Sequence, residues 1–222
     1  MSLKNEVVSG RTVAELVTER SGVTGEKMEL SDYVFLRGAK VDAYNHLGNK
    51  LSSLVSAAEA DADQEMVHGI SMQVAAMSPI AVSADLVAQE VKDHELQVAI
   101  EKTKQDEVNK AVEQALRKAG LNPAHADSDD HVESNLAKGW LTEEQAQIAR
   151  QIRKEVPQQA EAAINMKKVE MIAQGRLQKF LKESTLMEQI YVMSENKELV
   201  KDVLKKANVT ICDFKRVTLN QE

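Results

Sequence analysis

Between residues 83 and 119 the chain reads as one long helical tract, and a helix of that length dictates much of what must surround it. Val87, Val91 and Val98 set an apolar stripe, and Val108, Val112, Ala115 and Ala119 resume it beyond the polar stretch 101–107. Gly120 and Pro123 end it. Roughly 36 residues at ~1.5 Å each span about 54 Å, too long to be wrapped by one compact core in a chain of 222 residues. Such a helix needs a second one laid along its stripe. Thr142-Glu143-Glu144-Gln145 supplies its start as a capping box, opening a helix that carries Ile148, Ile152 and Val156. Beyond Pro157 the helical pattern returns with Ile164, Val169, Ile172, Leu177 and Phe180. The two arms predict an antiparallel hairpin with the polar, Asp-rich segment 120–141 as its solvated far end.

The flanks read differently. A short helix over 12–19, with Val13, Leu16 and Val17 inward, is expected to stop at Ser21-Gly22. Met28, Leu30, Val34 and Leu36 alternate with polar neighbours as a half-buried strand does. The alternation continues over 41–46 and 50–56 around Gly48-Asn49, residues suited to a tight turn. These predict an antiparallel meander over 27–57. A helix over 63–77 stops before Pro79. Ser194 is expected to cap a helix bearing Leu199, Val203 and Leu204, and 209–219 to return as a last strand. The expected fold class is α+β: a small antiparallel sheet packed with helices, plus a long antiparallel helical (coiled-coil) hairpin. The divisions are an N-terminal helical remnant over 1–24, an α+β core from 25–82 with 183–222, and the projecting hairpin over 83–182.

Composition narrows the function. An aromatic content of 3% points to an aliphatic core of thin layers. The net charge of −7 argues against a nucleic-acid partner, which needs clustered Lys and Arg. No apolar run approaches the ~20 residues that cross a bilayer, so no membrane partner is expected. With no signal peptide visible, a single cysteine, Cys212, and nine methionines, the chain reads as cytoplasmic. Met1-Ser2-Leu3 is the pattern a cloning remnant leaves, which would make the chain a fragment.

Catalytic chemistry finds no foothold. There is no nucleophile elbow, phosphate-binding glycine loop or dinucleotide fingerprint, so no enzyme activity and no cofactor are expected. Cys212 falls in a predicted strand, where a buried, inert thiol is the common case. His125-Ala126-Asp127-Ser128-Asp129-Asp130-His131 holds two histidines and three carboxylates, yet lacks both the helical His pair and the calcium-loop glycine of a metal site. His46 sits beside a predicted turn, where an imidazole is more often exposed than functional.

Three motifs change the weight of these readings. Gly175-Arg176-Leu177-Gln178-Lys179-Phe180 is followed by Leu186, Gln189, Tyr191 and Val192 in the pattern G-R-x-x-K-F…L-x-x-Q-x-[FY]-V. His68-Gly69-Ile70-Ser71-Met72-Gln73-Val74-Ala75-Ala76-Met77-Ser78-Pro79 is similar to I-A-M-H-V-A-A-x-x-P, with Gln73 in place of the usual histidine. Tyr44-Asn45-His46-Leu47-Gly48-Asn49-Lys50-Leu51 is similar to Y-x-H-x-G-x-[KR]-[IL]. In this order the motifs resemble bacterial elongation factor Ts, the nucleotide exchange factor of elongation factor Tu. The resemblance implies a protein that acts by binding. It places His46, Val192 and Met193 on the face that meets elongation factor Tu. Gly25 and Glu26 match the family's I-G-E-N-I element, although Thr24 replaces the preceding isoleucine.

The family's N-terminal three-helix module and T-D-F-V loop, whose aspartate and phenylalanine disturb the partner's Mg²⁺ and phosphate site, have no match. Asp213-Phe214 follows Ile211-Cys212 and is a decoy. The resemblance covers most of 12–104 and 164–219, the latter part of the family's length, and the segment between Lys104 and Ala163 is longer than in the commonest members. In the family that region is a coiled-coil hairpin, sometimes used for self-association. The alternative reading is therefore a scaffold module that forms a homodimer through its hairpin and has no exchange role.

Overall fold

The computed structural model describes residues 3–46, 48 and 50–219. In chain order it contains β1 (Val7–Val8), β2 (Arg11–Thr12), α1 (Val13–Thr24), β3 (Lys40–His46), β4 (Leu51–Ala57) and α2 (Gln64–Met77). Then come α3 (Gln89–Lys118), α4 (Pro123–Ala126), α5 (Asp129–Ala137), α6 (Glu143–Ala162) and α7 (Met166–Ser184). The chain closes with α8 (Val200–Ala207) and β5 (Ile211–Thr218). The α+β class is as the sequence predicts. Two compact units result, one from 1–82 with 190–222 and one from 83–189.

In the first unit β3, β4 and β5 form an antiparallel sheet with β4 central, Asp42 facing Val55 and Val55 facing Phe214. Helix α2 packs on β3 and β4. Asp63 caps it by accepting from the Met66 amide at 2.8 Å, and Ser78 ends it in the left-handed region at φ 45°. Val67, Ile70, Ser71 and Val74 repeat at three and four residues and are buried. The Ser53 hydroxyl, buried on β4, donates to the Ser71 carbonyl at 2.7 Å, fixing the helix against the sheet.

Several expectations fail here for physical reasons. Residues 27–38 form no strand, and Met28, Tyr33 and Phe35 stay exposed. Alternation is a local pattern, whereas a strand exists only where a second one takes up its amides and carbonyls. Helix α1 runs past Gly22 and ends at Gly25, whose φ of 72° lets its N–H reach the Ser21 carbonyl. The turn residue Asn49 lies outside the described residues; Gly48 takes a left-handed φ of 63°. Ser194 does not cap α8: its oxygen accepts from the Glu198 amide at 3.0 Å, and the helix starts at Val200. Cys212 is exposed, because β5 lies at the sheet edge and its side chains alternate between faces.

In the second unit α3 pairs with both α6 and α7. It begins at Gln89 rather than near residue 83, so its 30 residues span about 45 Å. The inward stripe also shifts. Val91 and Val98 are exposed, while Ala99, Thr103, Val108 and Leu116 are buried. Thr103 enters the stripe from within the polar stretch by donating its hydroxyl to the Ala99 carbonyl at 2.6 Å. Helix α6 runs through Pro157 and stops at Ala163; Asn165 then caps α7, accepting from the Lys168 amide at 3.2 Å. Proline forfeits one backbone bond but keeps a helical φ, at a cost of about 3 kcal/mol, which the flanking turns against α3 outweigh.

The segment 120–141 is not a solvated tip. Helices α4 and α5 fold over a core of Leu116, Leu121, Ala126, Val132, Leu141, Ala146 and Ala149, all buried. The four members this segment contributes, Leu121, Ala126, Val132 and Leu141, are spaced too widely to read as a stripe. The capping box at the start of α6 is present: Thr142 Oγ1 accepts from the Gln145 amide at 3.2 Å and Gln145 Oε1 from the Thr142 amide at 2.9 Å. Thr142→Ala should destabilise the second unit by about 1 kcal/mol, read as a lower denaturant midpoint with unchanged slope. An unchanged midpoint would remove the cap from this account.

Candidate docking surface

Three of the five candidate residues, His46, Val192 and Met193, lie in or near the segment 190–193. Its backbone is held on both edges. Ile190 bridges Leu199, and the Tyr191 amide donates to the Glu198 carbonyl at 2.8 Å. On the other edge the fully buried Gln73 of α2 donates to the Ile190 carbonyl at 3.1 Å and accepts from the Val192 amide at 2.7 Å. Val192 and Met193 are thereby presented outward, 45% and 58% exposed, although both are apolar. Tyr191, just before them, turns inward over Gly69, where a Cβ would lie 1.9 Å from the phenol oxygen. Only glycine admits that approach. Burial raises the Tyr191 pKa above its ordinary value, and its hydroxyl donates to Met193 Sδ at 3.4 Å.

From Met193 the surface continues onto α2 and β3. A cleft of about 340 Å³ is lined by Gln64, Glu65, His68, Gly69, Met72 and Met193. His68 Nδ1 lies 3.0 Å from an Asp42 carboxylate oxygen, and the Gln64 amide donates to the other oxygen at 2.8 Å. The His68 ring meets Tyr44 edge-on at 5.7 Å, and the Tyr44 hydroxyl lies 2.7 Å from His46 Nδ1. Asp42, Tyr44 and His46 alternate along β3 and so share one face of the strand. The structure brings His46 and Met193 into one row through Tyr44 and His68, with Val192 next to Met193.

Gly25 and Glu26 stand apart from it. Their hydrogen bonds run back into the last turn of α1, Gly25 to the Ser21 carbonyl and Glu26 to Thr24 Oγ1 at 3.3 Å. Asp213 is engaged within β5, accepting from the Phe214 amide at 2.8 Å and from Lys215 at 2.9 Å. In the second unit His131 pairs with Asp127 at 2.5 Å, which holds the Asp127 carboxyl below its usual range, and Asp129 pairs with Arg153. Among the described residues no three His, Cys, Asp or Glu side chains converge as a metal-holding group.

Asp42 has no place in the sequence motifs, and His68, Gly69, Met72 and Tyr191 appear in them without an assigned role. The spacing of Asp42, Tyr44 and His46 was a usable signal, since three polar or aromatic side chains at i, i+2 and i+4 fall on one strand face. The pairing of His68 with Asp42 has none, because the two lie 26 residues apart on different elements.

The fold defines the class as α+β, with imidazoles, a phenol and thioethers gathered beside a backbone segment held by α2. Comparison with known proteins gives the rest. The family model described as Elongation factor TS matches residues 1–221. Elongation factor Ts of Bacteroides fragilis is 49% identical over 215 residues, covering 95% of this chain and 64% of the relative. The Phocaeicola vulgatus protein is 48% identical over 213 residues, with the same coverages. That of Porphyromonas gingivalis is 32% identical over 218 residues, covering 97% of this chain and 58% of the relative. The chain belongs to the elongation factor Ts family. The match also runs through 105–163, which the motifs alone left out. The chain spans less than two thirds of the length of these curated relatives. No helix among the described residues is long and apolar enough to cross a membrane.

Proposed function

We propose that this chain is the docking part of a guanine nucleotide exchange factor and binds elongation factor Tu in the cytoplasm. The observation that carries the reading is the row from His46 through the half-buried Tyr44 and His68 to the exposed Met193, with Val192 beside it, next to a backbone segment held by α2. In this reading His46, Val192 and Met193 contact the partner, while Gly25 and Glu26 form a separate contact at the end of α1. The core from 25–82 with 183–222 docks, and the hairpin 83–182 serves another purpose.

The chain acts by binding, without catalytic residues of its own. A factor that prefers nucleotide-free elongation factor Tu to the GDP-bound form weakens GDP by the same factor, since coupling between two ligands is reciprocal. GTP then refills the site and drives the factor off. Only the difference in affinity between the two partner states does this work. The sequence contains no T-D-F-V loop to act at the phosphate site.

The test is calorimetric titration of the chain into nucleotide-free and GDP-loaded elongation factor Tu. Binding to both is expected, with GDP affinity lowered by less than about fivefold at saturation, the low end of allosteric coupling. A far larger loss of GDP affinity would place the coupling machinery inside this chain. No binding, with dimerisation that disappears on deletion of 105–160, would establish the scaffold reading instead.

A further inference from the structure

We propose that Gln73 is a positioning residue for partner docking, a side-chain clamp that sets the 190–193 segment so that Val192 and Met193 face outward. This rests on the docking role proposed for those two residues. Gln73 lies on α2, fully buried, and is among the largest side chains excluded from solvent. A buried primary amide is costly unless its donors and acceptor are matched. Here the amide nitrogen donates to the Ile190 carbonyl at 3.1 Å and the oxygen accepts from the Val192 amide at 2.7 Å.

Those two backbone groups flank Tyr191, one residue before and one after. A residue of a neighbouring parallel strand makes the same two contacts through its own N–H and C=O, on i−1 and i+1. The side chain of a helix thus stands where a strand would, 119 residues away in sequence from the amide it holds. The opposite edge carries the Tyr191 amide to Glu198 and the Ile190–Leu199 bridge, and the Ser194 amide closes on the Tyr191 carbonyl at 2.9 Å. Tyr191 fills the inward position over Gly69. With both edges and the inward side taken, Val192 and Met193 have only the outward side left. No apolar side chain can replace this grip, because Ile190 and Val192 would each keep an unpaired backbone group.

The experiment is a double-mutant cycle on the full chain, read by titration into nucleotide-free elongation factor Tu. The variants are Gln73→Leu, the pair Val192→Ala with Met193→Ala, and all three together. Exchange of the Val192 amide hydrogen is followed in parallel without any partner. Gln73→Leu is expected to weaken binding roughly tenfold, the equivalent of one lost buried hydrogen bond, and to speed Val192 exchange by a similar factor. In the Val192→Ala, Met193→Ala background it should change affinity less than about twofold, because the clamp acts through those side chains.

Equal weakening in both backgrounds would overturn the proposal, making Gln73 a general support of the fold. Unchanged Val192 exchange would overturn it even where docking through Val192 and Met193 holds. If Val192→Ala with Met193→Ala binds like the parent, the docking reading itself has failed and the proposal falls with it. Gln73→Met, unbranched and of the same reach, replaces Gln73→Leu should the latter not fold, with the same outcomes deciding.

Discussion

Leu116→Ala should destabilise the 83–189 unit by about 3 kcal/mol, the middle of the range for emptying a buried leucine site. Leu116 is 1% exposed at the end of α3, and it meets Leu121, Ala126, Val132 and Leu141 from the segment that follows. Four of the seven buried members of that cluster are alanine or valine, so there is little bulk nearby to relax into the cavity. The polar supports do not compensate. Asn135 holds the His125 carbonyl at 3.0 Å and its own carbonyl takes the Trp140 amide at 2.8 Å, but both bonds exist only while α4 and α5 are docked. Trp140 is the chain's single tryptophan and packs against His125, ring centroids 5.3 Å apart and planes tilted by 34°, so its fluorescence reports this region. Its thermal transition should fall by roughly 10–20 °C. A fall of less than ~3 °C would show that α4 and α5 are held by something other than this core. Affinity for elongation factor Tu should stay the same, because the proposed docking residues belong to the other unit.

That local core also shows where reading from sequence reaches its limit. The long helix and its returning arm were legible because a stripe at three- and four-residue spacing and a capping box are local signals. The four buried apolar residues of 120–141 recur at no fixed interval and are gathered by two short helices, whose caps, Asn122 and Ser128, lie among other polar residues. The extended run through Met28, Leu30, Val34 and Leu36 fails in the opposite sense: it has the pattern of a strand and no ladder among the described residues. Pro157 predicts a break by residue type, yet it lies inside α6, because helix breaking is an energetic cost that neighbouring helical packing can outweigh.

On the candidate surface, His46, Val192 and Met193 could be named because motifs carry them. The groups that hold them could not. Gln73 was visible only as a departure from a pattern. Its role depends on contacts 117 and 119 residues away, which no periodicity encodes. Cys212 illustrates the same gap, since a strand pattern does not say whether the strand is central or at an edge.

The remaining large effect concerns Val192 and Met193 themselves. Replacing both by aspartate should reduce affinity for elongation factor Tu at least a hundredfold, about 2.7 kcal/mol, while leaving the melting temperature of the first unit within ~2 °C. The two halves of that expectation have separate causes. Binding falls because apolar side chains at the centre of a contact become charges that must be desolvated against the partner. Stability holds because the segment is fixed through its backbone by Gln73 and Glu198, and exposed substitutions rarely change folding by more than ~0.5 kcal/mol. The added charge needs its own control, since a chain already at −7 could be repelled at long range. Met171→Asp serves: Met171 is 70% exposed on α7, in the other unit. It should leave affinity within about twofold and its salt dependence unchanged. If Met171→Asp weakens binding as much as the double replacement, the effect is one of net charge, and Val192 and Met193 lose their place in the docking surface.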